Sequence, residues 1–194
     1  MIILGLTGSI GMGKTTTAAM FRAQGAPVHD ADQTVHDLYQ GELVAELEKA
    51  FPGVSVDGKI DRKRLSAKVV GNASAMDQLE AIVHPAVRSK EEKFLKDQRS
   101  KDVPLVLLDI PLLFEAGGHA RVDKIAVVTA PAHIQRARVL SRPGMSVEKF
   151  ENILSHQMPD EEKQKRADFI IDTSLGMEEA RQSVLNIIET IKSA

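Results

Sequence analysis

The stretch Met1-Ile2-Ile3-Leu4-Gly5-Leu6-Thr7-Gly8-Ser9-Ile10-Gly11-Met12-Gly13-Lys14-Thr15 decides how the rest of the chain is read. Its first seven residues form an apolar, β-branched run of the kind that makes a buried strand. They lead directly into Gly8 to Thr15, which match the phosphate-binding spacing G-x-x-x-x-G-K-[ST]. The glycines remove Cβ atoms where successive backbone N–H groups, from Gly11 through Met12 and Gly13 to Thr16, must turn inward on an anion. Lys14 adds a point charge for the β- and γ-phosphates, and Thr15 offers a hydroxyl to Mg²⁺. A helix predicted over 14–24 contributes the positive end of its dipole, and Gly25 stands where that helix should stop. A dinucleotide-binding turn is the nearest rival, because Gly11-x-Gly13 is followed by an acid, Asp30, at the end of the next strand. Its third glycine is replaced here by Thr16, and a lysine at the helix start is foreign to it. The pattern therefore predicts a site for a nucleoside triphosphate.

Outward from this stretch, strands and helices alternate as in a parallel sheet with crossovers. Residues 27–29 read as a second strand running into Asp30-Ala31-Asp32. Helices are expected over 33–39 and 42–51, followed by a turn-rich piece over 52–59. Asp61 is placed to cap a helix over 62–70, and Ser74 to cap a longer one. Pro85 is expected to interrupt that helix and start another, running to about residue 98. No strand is expected between the second one and residue 102. So long a helical block exceeds an ordinary crossover and suggests an inserted substrate subdomain. Strand patterns return over 103–108, 124–129 and 168–172, with helices expected over 131–141 and 146–157, a short one from 159, and a closing one over 177–191. The fold class expected is α/β: a doubly wound P-loop fold with a mainly parallel five-stranded sheet.

With 194 residues, 43% of them hydrophobic, the chain has room for one α/β domain with an insertion and not for two full domains. A net charge of −2 provides no broad electrostatic footprint for nucleic acid. The absence of cysteine excludes a disulfide framework, a thiolate nucleophile and a Cys-based metal site. The N-terminus has no charged region before its apolar run, which is too short for a signal peptide or a span. A cytoplasmic protein with no membrane partner, a monomer or weak homo-oligomer, is expected.

A guanine-reading Asn-Lys-x-Asp motif is absent, and motor, transporter and large ATPase families need more chain. The class that remains is a small phosphoryl-transfer enzyme, which needs a carboxylate near the acceptor hydroxyl and basic groups over the phosphates. Within that class a small-molecule or nucleotide kinase could take any of several acceptors, and a non-catalytic nucleotide switch or binding module is the rival class. Asp30-Ala31-Asp32 lies at the carboxyl edge of the predicted sheet, making Asp32 or Asp30 the candidate general base, with helix capping by one of the pair as the alternative. Asp109 ends a buried strand, where an acid could hold Mg²⁺ through water or merely terminate the strand. Arg136, Arg138 and Arg142 recur along one helix and the turn beyond it, suited to a hairpin that closes over a triphosphate, with solvated surface arginines as the alternative. His84-Pro85-x-x-Arg88 offers a cationic clamp for a phosphate-bearing acceptor, or simply a helix kink. His29, His36, His119, His133 and His156 show no metal-ligand spacing.

Together these motifs resemble the dephospho-CoA kinase family almost end to end. The likeness is carried by the loop from Gly5 to Thr15, Asp30-Ala31-Asp32, His84-Pro85-x-x-Arg88, Pro111-Leu112-Leu113-Phe114-Glu115 and Ala167-Asp168-x-x-Ile171-Asp172. The resemblance implies ATP as co-substrate with Mg²⁺, dephospho-CoA as acceptor, and phosphorylation of its ribose 3′-hydroxyl to complete coenzyme A. It implies a single domain over 1–194 with a nucleotide core (1–32, 101–133 and 166–194), a coenzyme-A-binding helical insertion (33–100) and a lid (134–165). It implies Asp32 as catalytic base, and Lys14 with the backbone from Gly11 to Thr16 on the ATP phosphates. It also puts Arg138 and Arg142 in the lid, the latter catalytic, and His84, Arg88, Leu112 and Phe114 on the acceptor side. The sequence departs from the family at Pro143-Gly144, where an acidic or polar residue often follows the lid arginine, and at Thr173, where asparagine is frequent.

Overall fold

A computed structural model describes residues 1–193, and the chain divides into two units, Met1–His29 with Gln98–Ala194, and Asp30–Asp97. Along the chain the elements are β1 (Ile2–Thr7), α1 (Lys14–Ala23), β2 (Val28–Asp30), α2 (Ala31–Leu38), α3 (Val44–Ala50), β3 (Ser55–Val56), β4 (Lys59–Ile60), α4 (Arg62–Val69) and α5 (Ala73–Arg99). They continue with β5 (Leu105–Asp109), a 3₁₀ turn at Gly118–Arg121, β6 (Lys124–Thr129), α6 (Ala132–Leu140), α7 (Val147–Ser155), α8 (Asp160–Lys165), β7 (Phe169–Asp172) and α9 (Met177–Lys192).

The larger unit is built on a five-stranded sheet in the order β2-β5-β1-β6-β7. β1 sits at its centre because its side chains are apolar on both faces, as a strand covered on both sides requires. It pairs in parallel with β5, Leu4 opposite Leu107, and with β6, Leu6 opposite Ala126. Leu4, Leu6, Leu107 and Val128 are buried with Phe21 of α1 and Val184, Ile187 and Ile188 of α9 in one core. Each such leucine contributes about 1.5–3 kcal/mol by leaving water. From β1 the chain moves one way, to β2 and back to β5, and then the other way, to β6 and β7, so the strand order reverses around β1. Loops at the carboxyl ends of the strands at such a reversal are where ligands of open α/β sheets bind. The Asp-Ala-Asp stretch is one strand removed from β1, since β5 lies between β2 and β1.

The smaller unit has its own core, in which Leu38, Leu47, Phe51, Val54, Ile60, Leu65 and Val83 are buried together. Asp61 caps α4 as expected, accepting hydrogen bonds from Lys63 N (2.8 Å) and Arg64 N (3.0 Å). Three local expectations are corrected here. The turn-rich piece before Asp61 contains a short hairpin, β3 against β4, with Ser55 opposite Ile60. Asp57 and Gly58 both have positive φ there, 49° and 74°, the backbone of a type I′ turn; strands of two residues are too short to show alternation. Pro85 lies inside α5, which runs unbroken from Ala73 to Arg99. Ile82 and Val83 before the proline and Ala86 and Val87 after it pack on the same core, and that packing offsets a cost of about 3 kcal/mol for an interior proline. Ser74 is not the cap of this helix: Asn72 Oδ1 accepts Ala75 N at 3.1 Å, the bond that a cap makes to the third helical residue.

No helix among the described residues is long and apolar enough to cross a membrane.

Candidate active site

β1 delivers the chain into the loop at Gly8, where a Cβ would come within 2.6 Å of the Val128 carbonyl oxygen, so only hydrogen fits. Gly11 has φ +81°, and a Cβ there would collide with Val139 and press on the Gln135 carbonyl. Gly11→Ala is therefore expected to lower stability by at least about 1 kcal/mol, read as a fall in Tm. An unchanged Tm would show that the loop yields to the methyl group.

α1 begins with Gly13 in the left-handed conformation, no side-chain cap and no acid in its first turn, so its dipole is not offset by local negative charge. Thr17 holds the Gly13 carbonyl with both its N–H (3.0 Å) and its Oγ1 (3.2 Å). Lys14 Nζ lies 2.7 Å from Oδ1 of Asp109, which ends β5 and is only 2% exposed. A lysine at the start of α1 and an acid at the end of β5 thus form an ion pair at the mouth of the loop. Thr15 and Thr16 are exposed on the first turn of α1, while the Met12 side chain is buried in the core and contributes only its backbone to the loop.

Gly11, Gly13 and Thr16 line a cavity of about 420 Å³ together with Thr17, Met20, Arg138, Arg142, Thr173 and Met177. Three of the sequence-predicted loop residues, Gly11, Gly13 and Thr16, and two of the three arginines are thereby brought to one place. Arg138 donates to both Oγ1 and the carbonyl of Thr173, each at 2.8 Å, which fixes its guanidinium at the cavity wall. Thr173 Oγ1 in turn lies 2.7 Å from the Met12 carbonyl, so the residue that departs from the family pattern ties β7 to the loop. Arg136 faces elsewhere, 3.7 Å from Glu151 on α7. In sequence the three arginines look alike; the turn of α6 separates them.

Within the smaller unit, the two acids of the Asp-Ala-Asp stretch have different surroundings. Asp30 is the N-cap of α2, its Oδ1 accepting Gln33 N at 3.0 Å, whereas Asp32 is exposed on the first turn. His84 and Arg88 lie four residues apart on α5 and line an open hollow of about 500 Å³ with Asp77, Glu80, Ala81 and Pro85.

Of the Pro111 to Glu115 motif, Leu112 is 43% exposed and Phe114 is buried, with the Arg166 guanidinium 5.8 Å from the centre of its ring. Glu115 lies 2.8 Å from the fully buried Lys163 Nζ and accepts Met158 N at 2.8 Å. Sequence reasoning did not single out Lys163, nor Gln135 and Gln157, whose side chains reach the Ile10 backbone. Single glutamines and lysines on helical segments carry no pattern by which to find them.

A phosphate-binding loop that shares a cavity with arginines from α6 and the turn beyond it suits phosphoryl transfer, and with this sheet order it defines a P-loop kinase. The family model for dephospho-CoA kinase matches residues 2–179. A dephospho-CoA kinase of Mesorhizobium japonicum is 56% identical over 192 residues, 99% of this chain and 98% of its own. Among solved structures, a Thermus thermophilus protein superposes with a TM-score of 0.84 at 37% identity, covering 97% of this chain and 96% of its own. A dephospho-CoA kinase from Campylobacter jejuni does so with a TM-score of 0.68 at 30% identity, with the same coverages of 97% and 96%. The chain belongs to the dephospho-CoA kinase family.

Proposed function

We propose that this chain transfers the γ-phosphoryl group of ATP to the ribose 3′-hydroxyl of dephospho-CoA, giving coenzyme A and ADP in the last step of coenzyme A synthesis. The observation that carries this reading is the cavity shared by Gly11, Gly13, Thr16, Arg138 and Arg142 in a chain of this family. The backbone from Gly11 to Thr16 and the Lys14 ammonium hold the triphosphate, and the nucleoside end lies towards Thr173 and Met177. Lys14 exchanges Asp109 for the phosphates as the nucleotide arrives.

Mg²⁺ fits the residues available. The ion prefers hard oxygen donors, keeps several waters, and takes one or two protein oxygens beside those of the phosphates. The exposed Thr15 hydroxyl and the Asp109 carboxylate would hold it, Asp109 through water. Held by these two residues, the ion would supply positive charge to offset that of the phosphates.

His84 and Arg88 hold the acceptor's anionic groups, with Leu112 and Phe114 on its apolar parts. Asp32 accepts the proton of the 3′-hydroxyl, or orients that hydroxyl, as it attacks the γ-phosphorus in line. Arg142, with Arg138, neutralises charge on the migrating group while the lid segment excludes water that would otherwise take the phosphoryl group. The same reading puts the reaction in the cytoplasm, where ATP is made and used.

The test is a coupled assay of ADP formation with dephospho-CoA as acceptor and the product identified by mass. Turnover should depend on the acceptor and yield coenzyme A. ATP binding with no transfer to dephospho-CoA would refute the acceptor assignment.

A further inference from the structure

The loop residue Ile10 has both of its backbone polar groups claimed by distant side chains. Its N–H donates to Gln157 Oε1 at 3.1 Å, and its carbonyl accepts from Gln135 Nε2 at 2.8 Å. Gln135 lies on α6 and is buried, while Gln157 follows α7. They lie 22 residues apart within the segment 134–165, one near its start and the other after α7, and neither glutamine lies in the β1–α1 loop or next to it in sequence.

Peptide planarity gives this grip a consequence. In a trans peptide the carbonyl and the N–H point in opposite directions. Holding the Ile10 carbonyl on Gln135 therefore turns the Gly11 N–H to the opposite side, and Gly11 is one of the residues that line the cavity. At the preceding peptide, holding the Ile10 N–H on Gln157 directs the Ser9 carbonyl the other way, where it accepts Met12 N at 3.2 Å and closes the turn. Gln157 is itself held in place. Its own N–H bonds to the Leu154 carbonyl at 3.0 Å, and the next N–H, that of Met158, bonds to Glu115 at 2.8 Å.

We infer that Gln135 and Gln157 are positioning residues for phosphoryl transfer: by gripping the Ile10 peptide groups from two separate points of the lid segment, they keep the Gly11 N–H aimed at the phosphates. The cradle's readiness for a phosphate and the placement of the segment bearing Arg138 and Arg142 are thereby linked through one residue of the loop. This rests on the reading of the loop as the ATP phosphate site, and it is independent of the identity of the acceptor.

The test uses the whole chain with ADP as probe, so that an error in the acceptor assignment does not affect it. Gln157→Met and Gln135→Met keep the side-chain length and remove only the amide. Each should weaken ADP binding, measured by calorimetry, by about three- to tenfold, the range expected for one such hydrogen bond. Adenosine, which lacks phosphates, should displace a fluorescent adenosine analogue equally well from the variants and the unsubstituted protein. An ADP affinity unchanged in Gln157→Met overturns the inference, as does a loss of adenosine affinity equal to the loss for ADP, which would mark a merely structural role. Should Gln135→Met, with its buried site, fail to fold, Gln157→Met decides the matter alone. A protein that binds no ADP even unsubstituted would refute the phosphate-site reading itself, a result distinct from either of these.

Discussion

Asp32→Asn is expected to lower kcat by about 10²- to 10⁴-fold while moving the KM for ATP by less than about threefold, as loss of a general base does. The substitution keeps the size and polarity of the side chain and removes only its capacity to take a proton. Its control is built into the same stretch. The Asp30 carboxylate is occupied as the N-cap of α2, on Gln33 N. Asparagine caps a helix about as well as aspartate, so Asp30→Asn should leave both turnover and Tm nearly unchanged. Asp30→Ala should cost about 1 kcal/mol through the lost cap. Steady-state kinetics on the three variants separate the two acids. Near-normal kcat in Asp32→Asn, or an equal loss in Asp30→Asn, would remove Asp32 from the role of base.

Removing the Glu115 carboxylate should have the largest effect on stability: Glu115→Ala is expected to cost about 3–5 kcal/mol. For a chain of this size that corresponds to a fall in Tm of roughly 10 °C. Lys163 is 0% exposed, and its ammonium lies 2.8 Å from Glu115 Oε1, the approach of an ion pair whose direction is off that of a hydrogen bond. Deleting the acid leaves a cation buried with no counter-charge there and also strips Met158 N of its acceptor. If the penalty comes from the stranded cation, Glu115→Gln with Lys163→Met should recover most of the loss, because no cation is then left buried. Thermal unfolding of the single and double variants checks this. A double variant as unstable as Glu115→Ala would mean that the cost lies in packing instead of charge.

The same pair makes stability depend on pH. Burial pushes the Glu115 carboxyl up, but Lys163, the Met158 N–H and Glu115's own backbone N–H together outweigh it and hold the group below its ordinary value. A carboxyl whose pKa is lower in the folded state stabilises fully above the unfolded value, about 4.3, and that contribution is lost as pH falls through the folded value. Tm of the unsubstituted protein should fall on acidification below that range, more steeply than in the Glu115→Gln and Lys163→Met double variant.

What could be read from the sequence alone was what short-range chemistry decides. The β1 strand, the glycine and lysine spacing of the loop, the stop of α1 at Gly25, the Asp61 cap and the run of β6 each depend on residues within a turn or two of one another, so their patterns survive in one dimension. The family likeness rests on the same local motifs. Tertiary structure decided everything in which neighbours come from far along the chain. Packing on a shared core carried α5 through Pro85, against the proline's local preference. The pitch of α6 sent Arg138 to the cavity and Arg136 to Glu151, although the two are two residues apart. The grip on Ile10 spans 125 residues to Gln135 and 147 to Gln157, and no periodicity or spacing records contacts of that length. Such contacts exist only once the sheet has brought the loop, α6 and the end of α7 to the same edge, because their partners share no local geometry until then.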